Sequence, residues 1–406
     1  MIPTPGALGR AILLSGLYFA QGLPFGIFTQ ALPVMMRQQG YSLEAIGLSN
    51  LLALPWVLKF LWAPLVDGHP GPRRRVIVPL NVAAAALLIL LAGVPPSQMG
   101  PLLVVVLLCN LVAATQDIAT DALAVELLPP QERGLGNGVQ VAGYRLGMVV
   151  GGGLLIQQFA TWGWARTFLA AGALVLLATV PILLAHAPER VERSAEPHQA
   201  LRWDRWFSGR NGRAWFGLLF LYKFGDAFGT GMAKPLLVDQ GLQLGEIGRL
   251  MGVYGSGAAI TGALFGGWFV ARWSVRAGLL GFGGAQVATL LAYALFAEHG
   301  PAYAGAVIVA EHLVSGMATA ALFTAMMGAC RPGHSGTDYT VQASVVVLAQ
   351  GLGALASGFS AQALGYAGHF GLAAALAVGA AAWVARMPTG GGRFGLAGAQ
   401  RSLTPL

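Results

Sequence analysis

The chain has 406 residues, 56% of them hydrophobic and only 10% charged, with a formal net charge of +8. A soluble domain carries about 25% charged residues, so this composition excludes a soluble enzyme of the size and makes lipid the main solvent. The positive charge does not call for nucleic acid, because the sidedness of membrane loops accounts for it, and two cysteines, Cys109 and Cys330, suggest neither a disulfide framework nor a metal site.

A membrane-crossing helix needs about 20 mostly apolar residues. Twelve segments qualify, at roughly 11–35, 44–66, 76–94, 102–126, 135–158, 165–186, 214–238, 246–270, 277–297, 302–325, 337–364 and 366–386. The first follows Arg10 and runs on past Pro24 to Met36, too long for the apolar core of a signal peptide. Loops such as His69-Pro70-Gly71-Pro72 and Arg331-Pro332-Gly333 separate the spans. Gly151-Gly152-Gly153 lies mid-span, where small residues let helices approach closely. The stretch 187–213, with Glu189, Arg190, Glu192, Arg193 and further mixed charge, reads as a linker. The expected organisation is an all-α integral membrane fold: a six-helix bundle over 1–186, a cytoplasmic linker over 187–213, a second bundle over 214–390 and a cytoplasmic tail over 391–406.

Lys and Arg set the orientation. With the N-terminus in the cytoplasm, 17 of the 24 basic residues fall on cytoplasmic segments, and Arg37, Arg166 and Arg249 fall opposite. The remaining Lys59, Arg145, Lys223 and Lys234 lie within spans or near a span end. Both termini are therefore expected inside.

The halves resemble each other at an offset of about 201–202. Pro33 to Gly47 reads PVMMRQQGYSLEAIG and Pro235 to Gly248 reads PLLVDQGLQLGEIG. Val139-Gln140 matches Val341-Gln342, and Gly163, Trp164 and Phe168 match Gly365, Tyr366 and Phe370. Parallel six-helix repeats are an architecture of secondary transporters, with substrate sites near the bilayer midplane.

PLVDGHPGPRRR (Pro64–Arg75) resembles the signature loop between helices two and three of the major facilitator superfamily. The resemblance makes Asp67, Arg73, Arg74 and Arg75 the expected conformational-gate loop. The second-half counterpart, FVARWSVR, keeps Arg272 and Arg276 but lacks the acid. LPWVLKFLWAPLVD (Leu54–Asp67), QDIATDALAVELLPPQERG (Gln116–Gly134), GYRLGM (Gly143–Met148) and YKFGDAF (Tyr222–Phe228) look like the group holding the muropeptide permease and the acetyl-CoA transporter. The opening YFAQGLPFGIFTQALPVMMRQQG and the compact length are closer to that group's siderophore permeases, which import pyochelin or rhizobactin. The resemblance covers almost the whole chain and implies a multi-pass protein of the bacterial inner membrane.

Ionisable groups in hydrocarbon cost at least about 2.5–3.5 kcal/mol at a helix centre, so they should turn inward and pair. Asp117 and Asp121, four apart, share a helix face. With Lys59 and Arg145 they make an expected network, either a static brace or a proton-coupling site. Lys223 and Asp226, three apart, can pair along their helix, and protonation of Asp226 would free Lys223 for an anionic substrate. Glu311, next to His312, is the second-half proton candidate. Asp338, at the start of the eleventh span, reads as a helix cap. Tyr18, Gln21 and Phe25 share a face of the first helix and, with Trp56, suit a ligand with rings. Gln140, Tyr222, Lys223 and Gln342 complete the expected substrate site.

There is no phosphate-binding loop, so the expected drive is the proton-motive force, with no cofactor, no metal and no ATP site. The leading expectation is a monomeric secondary importer of a siderophore such as ferric-pyochelin, embedded in lipid and taking a small-molecule substrate. Import of anhydro-muropeptides for wall recycling stands second, and export of a drug or metabolite third. A membrane-embedded enzyme would need a nucleophile or acid–base set, and only Glu311-His312 offers a pair.

Overall fold

In hydrocarbon a backbone must satisfy its own N–H and C=O groups, which helices do within one segment. The computed structural model describes residues 6–42, 45, 48–185, 209–300 and 303–388, and these are almost entirely helical. The linker up to residue 208 and the tail over 391–406 lie outside the described residues.

The first helix, α1, spans Ala7–Gln38. The second, α2, is four short stretches, Ser49–Ala53, Leu54–Leu58, Lys59–Leu61 and Ala63–Asp67. Pro55 and Pro64 stand at the starts of two of these, where a missing N–H is harmless but would break a longer ladder. Then follow α3 (Arg74–Ala92), α4 (Met99–Leu127), α5 (Arg133–Val149, continued by a wider turn over Val150–Leu155) and α6 (Phe159–Leu184). The second half holds α7 (Gly209–Thr230, then Ala233–Asp239), α8 (a wide turn over Gly248–Gly255, then Ser256–Arg272), α9 (Val275–His299) and α10 (Ala304–Gly328). One 52-residue stretch, Ser335–Arg386, holds the last two, α11 over 335–364 and α12 over 366–386.

Eight helices among the described residues are long and apolar enough to cross a membrane, counting Ser335–Arg386 as one. The difference from twelve has local causes. Proline divides α2, the polar residues of α5 and α7 dilute their apolar runs, and α11 continues into α12. The break between those two is Gly365, with φ 69° and ψ 172°. Its match in the sequence repeat, Gly163, has φ 74° and ψ 173° at the start of α6. That region of backbone space is essentially open to glycine alone, so the repeat is preserved at the conformation of a single residue.

Two compact units form. The first comprises Met1–Leu127, Ala142–Leu201 and Pro332–Thr340; the second comprises Leu128–Val141, Arg202–Arg331 and Val341–Leu406. In the first, Leu23, Ile27, Leu88, Val106, Phe168 and Val175 form the main core. In the second, Phe228, Leu237, Leu290, Tyr293, Ile308 and Phe370 do so. Glycine brings backbones together in both. A methyl group on Gly151 of α5 would lie 2.0 Å from the Leu23 carbonyl oxygen of α1, and one on Gly262 of α8 would lie 1.9 Å from that of Leu313 on α10. Of the 151–153 run, Gly151 and Gly152 are buried, and Gly153 faces open space.

Candidate functional site

In the first unit α4 carries Asp117 and Asp121 on one face, both buried. The broken α2 aims Lys59 at them, and its ammonium donates to Asp117. Lys59 is only 2% exposed, so this charge has lost its water and depends on its partner. The Tyr18 hydroxyl of α1 donates to Asp121 at 2.7 Å. Asp117 and Asp121 stand four apart on that face, one bonded by Lys59 and the other by Tyr18.

Aromatic groups flank the pair. Lys59 lies 5.6 Å from the centre of the Trp56 ring, and the Trp56 indole donates to Asn110 at 2.9 Å. Phe25 meets Trp56 edge-on at 5.6 Å and Tyr144 at 5.8 Å. Gln21, 2% exposed, has neither amide atom bonded to a described residue. Of the network expected from the sequence, Lys59, Asp117 and Asp121 come together and Tyr18 joins them, while Arg145 is half-buried next to Tyr144 in the chain.

Of the three arginines in the expected gate loop, Arg73 is the buried one. Arg73, 3% exposed, reaches Asp67 at 2.5 Å and Glu126 at 2.6 Å, and donates to the Val66 carbonyl at 3.2 Å. Burial works against the cation, but Glu126 and Asp67 more than offset it and hold the guanidinium above the usual arginine range. Arg74 is half-buried and Arg75 exposed. The same unit includes the start of α11. There Ser335 donates to Glu126 at 2.7 Å, and the Asp67 carboxylate accepts from the backbone N–H groups of Gly336 at 3.3 Å and Thr337 at 2.9 Å. Asp338 reads from sequence as the cap of this helix, yet the carboxylate on its first N–H groups is Asp67, favoured there by the helix dipole. Glu126 escapes a sequence reading because it stands at a span end, where charges are ordinary.

In the second unit Lys223 and Asp226 pair along α7 at 3.2 Å. Lys223 also donates to Thr319 of α10 at 2.8 Å, and Gln286 of α9 donates to Asp226 at 3.1 Å. Neither neutral partner was apparent from sequence, since hydroxyls and amides are common in spans. Glu311 meets His312 at 2.7 Å, and the same His312 nitrogen bonds the Ile308 carbonyl at 3.0 Å. A carbonyl can only accept, so that nitrogen carries a hydrogen. Two expected substrate contacts are occupied elsewhere. Tyr222 donates to the Leu279 carbonyl at 3.3 Å. Gln342 donates to the Met326 carbonyl at 3.2 Å and accepts from Trp215 at 2.9 Å. Gln140 is buried, on the part of α5 that belongs to this unit.

Comparison with known proteins agrees with this architecture. Residues 14–354 match the family model described as Major Facilitator Superfamily. The Anhydromuropeptide permease of Escherichia coli K12 is 34% identical over 91% of this chain and 78% of its own length. An uncharacterized protein of Haemophilus influenzae is 30% identical, over 89% and 90%. The putative transporter AmpG 4 of Rickettsia conorii is 24% identical, over 86% and 89%. Among solved structures, the human organic anion transporter MFSD10 gives a TM-score of 0.75 at 15% identity, over 94% of this chain and 100% of that one. FucP in its outward conformation gives 0.75 at 14%, over 92% and 97%. At such identities the structural likeness speaks for the fold alone. Fold, family model and relatives agree on a multi-pass membrane transporter rather than an enzyme, and the chain belongs to the Major Facilitator Superfamily, in its muropeptide permease group.

Proposed function

We propose that this chain imports anhydromuropeptides by alternating access, driven by protons, across a bacterial inner membrane with both termini in the cytoplasm. The observation that carries the substrate is the 34% identity, over 91% of the chain, to a protein named Anhydromuropeptide permease. It favours the second of the sequence expectations over the siderophore. The proton drive is supported by the Asp117–Asp121 pair against Lys59, buried acids of the kind that mark proton routes in membrane proteins. The orientation is supported by the excess of Lys and Arg on one set of loops. Phe25 and Trp56 offer apolar ring faces to the sugars, and Gln21 offers an unspent amide. The Asp67–Arg73–Glu126 cluster, with the start of α11, is the brace whose opening and closing accompanies the cycle.

The test is uptake of a radiolabelled anhydromuropeptide into proteoliposomes. A proton crossing 100 mV releases about 2.3 kcal/mol, enough for about fifty-fold accumulation. A protonophore is expected to collapse that to equilibration, and Asp121→Asn, which leaves the Lys59–Asp117 pair in place, is expected to do the same while leaving solute exchange intact. Accumulation that survives the protonophore would remove proton coupling, and an absence of uptake would remove the substrate. Ferric-pyochelin in excess is expected not to compete.

A further inference from the structure

An anion entering a buried site has to be met by positive charge, and α7 holds a lysine already committed to a carboxylate. Lys223 is 2% exposed, and its ammonium has three hydrogens to donate. Among the described residues it uses Asp226 at 3.2 Å and Thr319 at 2.8 Å. Thr319 sends its own hydrogen to the Ser315 carbonyl at 2.7 Å, so its oxygen is fixed as an acceptor for Lys223. Asp226 has a second partner too, the Gln286 amide at 3.1 Å. Each member of the ion pair is therefore held by a neutral group from a different helix, Lys223 by α10 and Asp226 by α9. If the pair separates, neither is left without a hydrogen bond. Asp226 is the more open of the two, its side chain 12% exposed against 3% for Lys223.

From this geometry we infer that Lys223 is the receptor for a carboxylate of the substrate, and that the carboxylate takes the place of Asp226, which takes up a proton in the exchange. The inference rests on the anhydromuropeptide reading and deepens it: the recognised group is an ionised carboxyl of the muropeptide. Charge balance dictates the proton. Lys223 and Asp226 together are one cation and one anion. A second anion beside the first in a low-dielectric interior is strongly unfavourable, whereas a neutral Asp226 restores the original balance. The proton comes from water and stays on Asp226, still held by Gln286, and the carboxylate of the solute closes on Lys223.

Lys223 is the charge facing Asp226 on its own helix, and Tyr222 there is turned to the Leu279 carbonyl. Gln286 and Thr319 come from α9 and α10, and farther along α10 the Glu311–His312 pair is internally bonded. From α11, Gly353 packs on Phe224, and from α12, Leu376 and Ala377 pack on Gly225, while His369 lies against Phe228 at 4.6 Å.

The experiment measures binding of two ligands to purified protein in nanodiscs: the disaccharide of N-acetylglucosamine and anhydro-N-acetylmuramic acid carrying one alanine on its lactyl group, with the alanine carboxyl free (the acid disaccharide), and the same molecule with that carboxyl converted to the amide. The readout is the ratio of their affinities against pH. In the wild type the ratio is expected to shift toward the acid by up to tenfold per unit of acidification. In Asp226→Asn it is expected to favour the acid at every pH. In Lys223→Met with Asp226→Asn, a neutral pair that leaves no charge stranded if the single variant folds poorly, it is expected to fall at least tenfold, to near one. A wild-type ratio that ignores pH, or a ratio unchanged in the double variant, overturns the carboxylate receptor while the muropeptide reading stands. Binding of neither ligand overturns both.

Discussion

Gln21 shows what a single side chain in this interior can be asked to do. A buried amide with no partner costs about 1–3 kcal/mol, and both its polar atoms are unbonded among the described residues. Gln21→Leu is therefore expected to raise stability by about 1–2 kcal/mol in thermal unfolding while weakening muropeptide binding. A variant that gains stability and binds as before would make Gln21 a packing residue. Arg73 is the opposite case. Removing it would strand Asp67 and Glu126 together, a loss of about 3–5 kcal/mol for a buried charge left alone, so Arg73→Ala is expected to lower yield and melting temperature far more than Arg75→Ala at the exposed end of the same motif. The sequence made Lys59 and Asp117 legible as partners, because opposite charges in hydrocarbon have little choice. It could not distinguish Arg73 from Arg74 and Arg75, and it gave no sign that Tyr222 and Gln342 are bonded to Leu279, Trp215 and Met326, since the partners of a neutral polar group are set by helix rotation.

At the scale of elements, close approach governs. The α8–α10 pair meets where Gly262 faces Leu313 and Gly316 faces Ala259. Gly262→Ala would press a methyl group into backbone, with overpacking of about 1–3 kcal/mol or more. Gly257, on the same helix with nothing nearby, serves as the control: its change to alanine is expected to be neutral or stabilising by up to about 1 kcal/mol of helix propensity. Equal melting temperatures for the two variants would mean that the helices part easily. Helix positions were legible from apolar length, and even the border at Gly365 was, because a glycine recurring at Gly163 marks the same turn twice. The division of α2 was less so. Pro55 and Pro64 announce it, but an apolar run around a proline also fits a kinked single helix.

For the whole molecule the consequence is electrical. Under the proposed drive, the Asp117–Asp121 pair carries a proton with every solute, whatever the solute's charge, while Asp226 carries one only when a carboxylate comes to Lys223. The acid disaccharide and its amide should then move the same net charge through the wild type, because the carboxylate brings its own compensating proton. In Asp226→Asn the carboxylate still closes on Lys223 but no second proton follows. Its negative charge then cancels the proton of the first unit, and transport of the acid becomes electrically silent while the amide keeps its current. Recordings from proteoliposomes on a solid-supported membrane read this directly, with radiolabel flux to count solutes. Undiminished current per acid molecule in Asp226→Asn would mean that charge balance is kept elsewhere. A current lost for the amide and reversed in sign for the acid would mean that Asp226, rather than the Asp117–Asp121 pair, carries the driving proton.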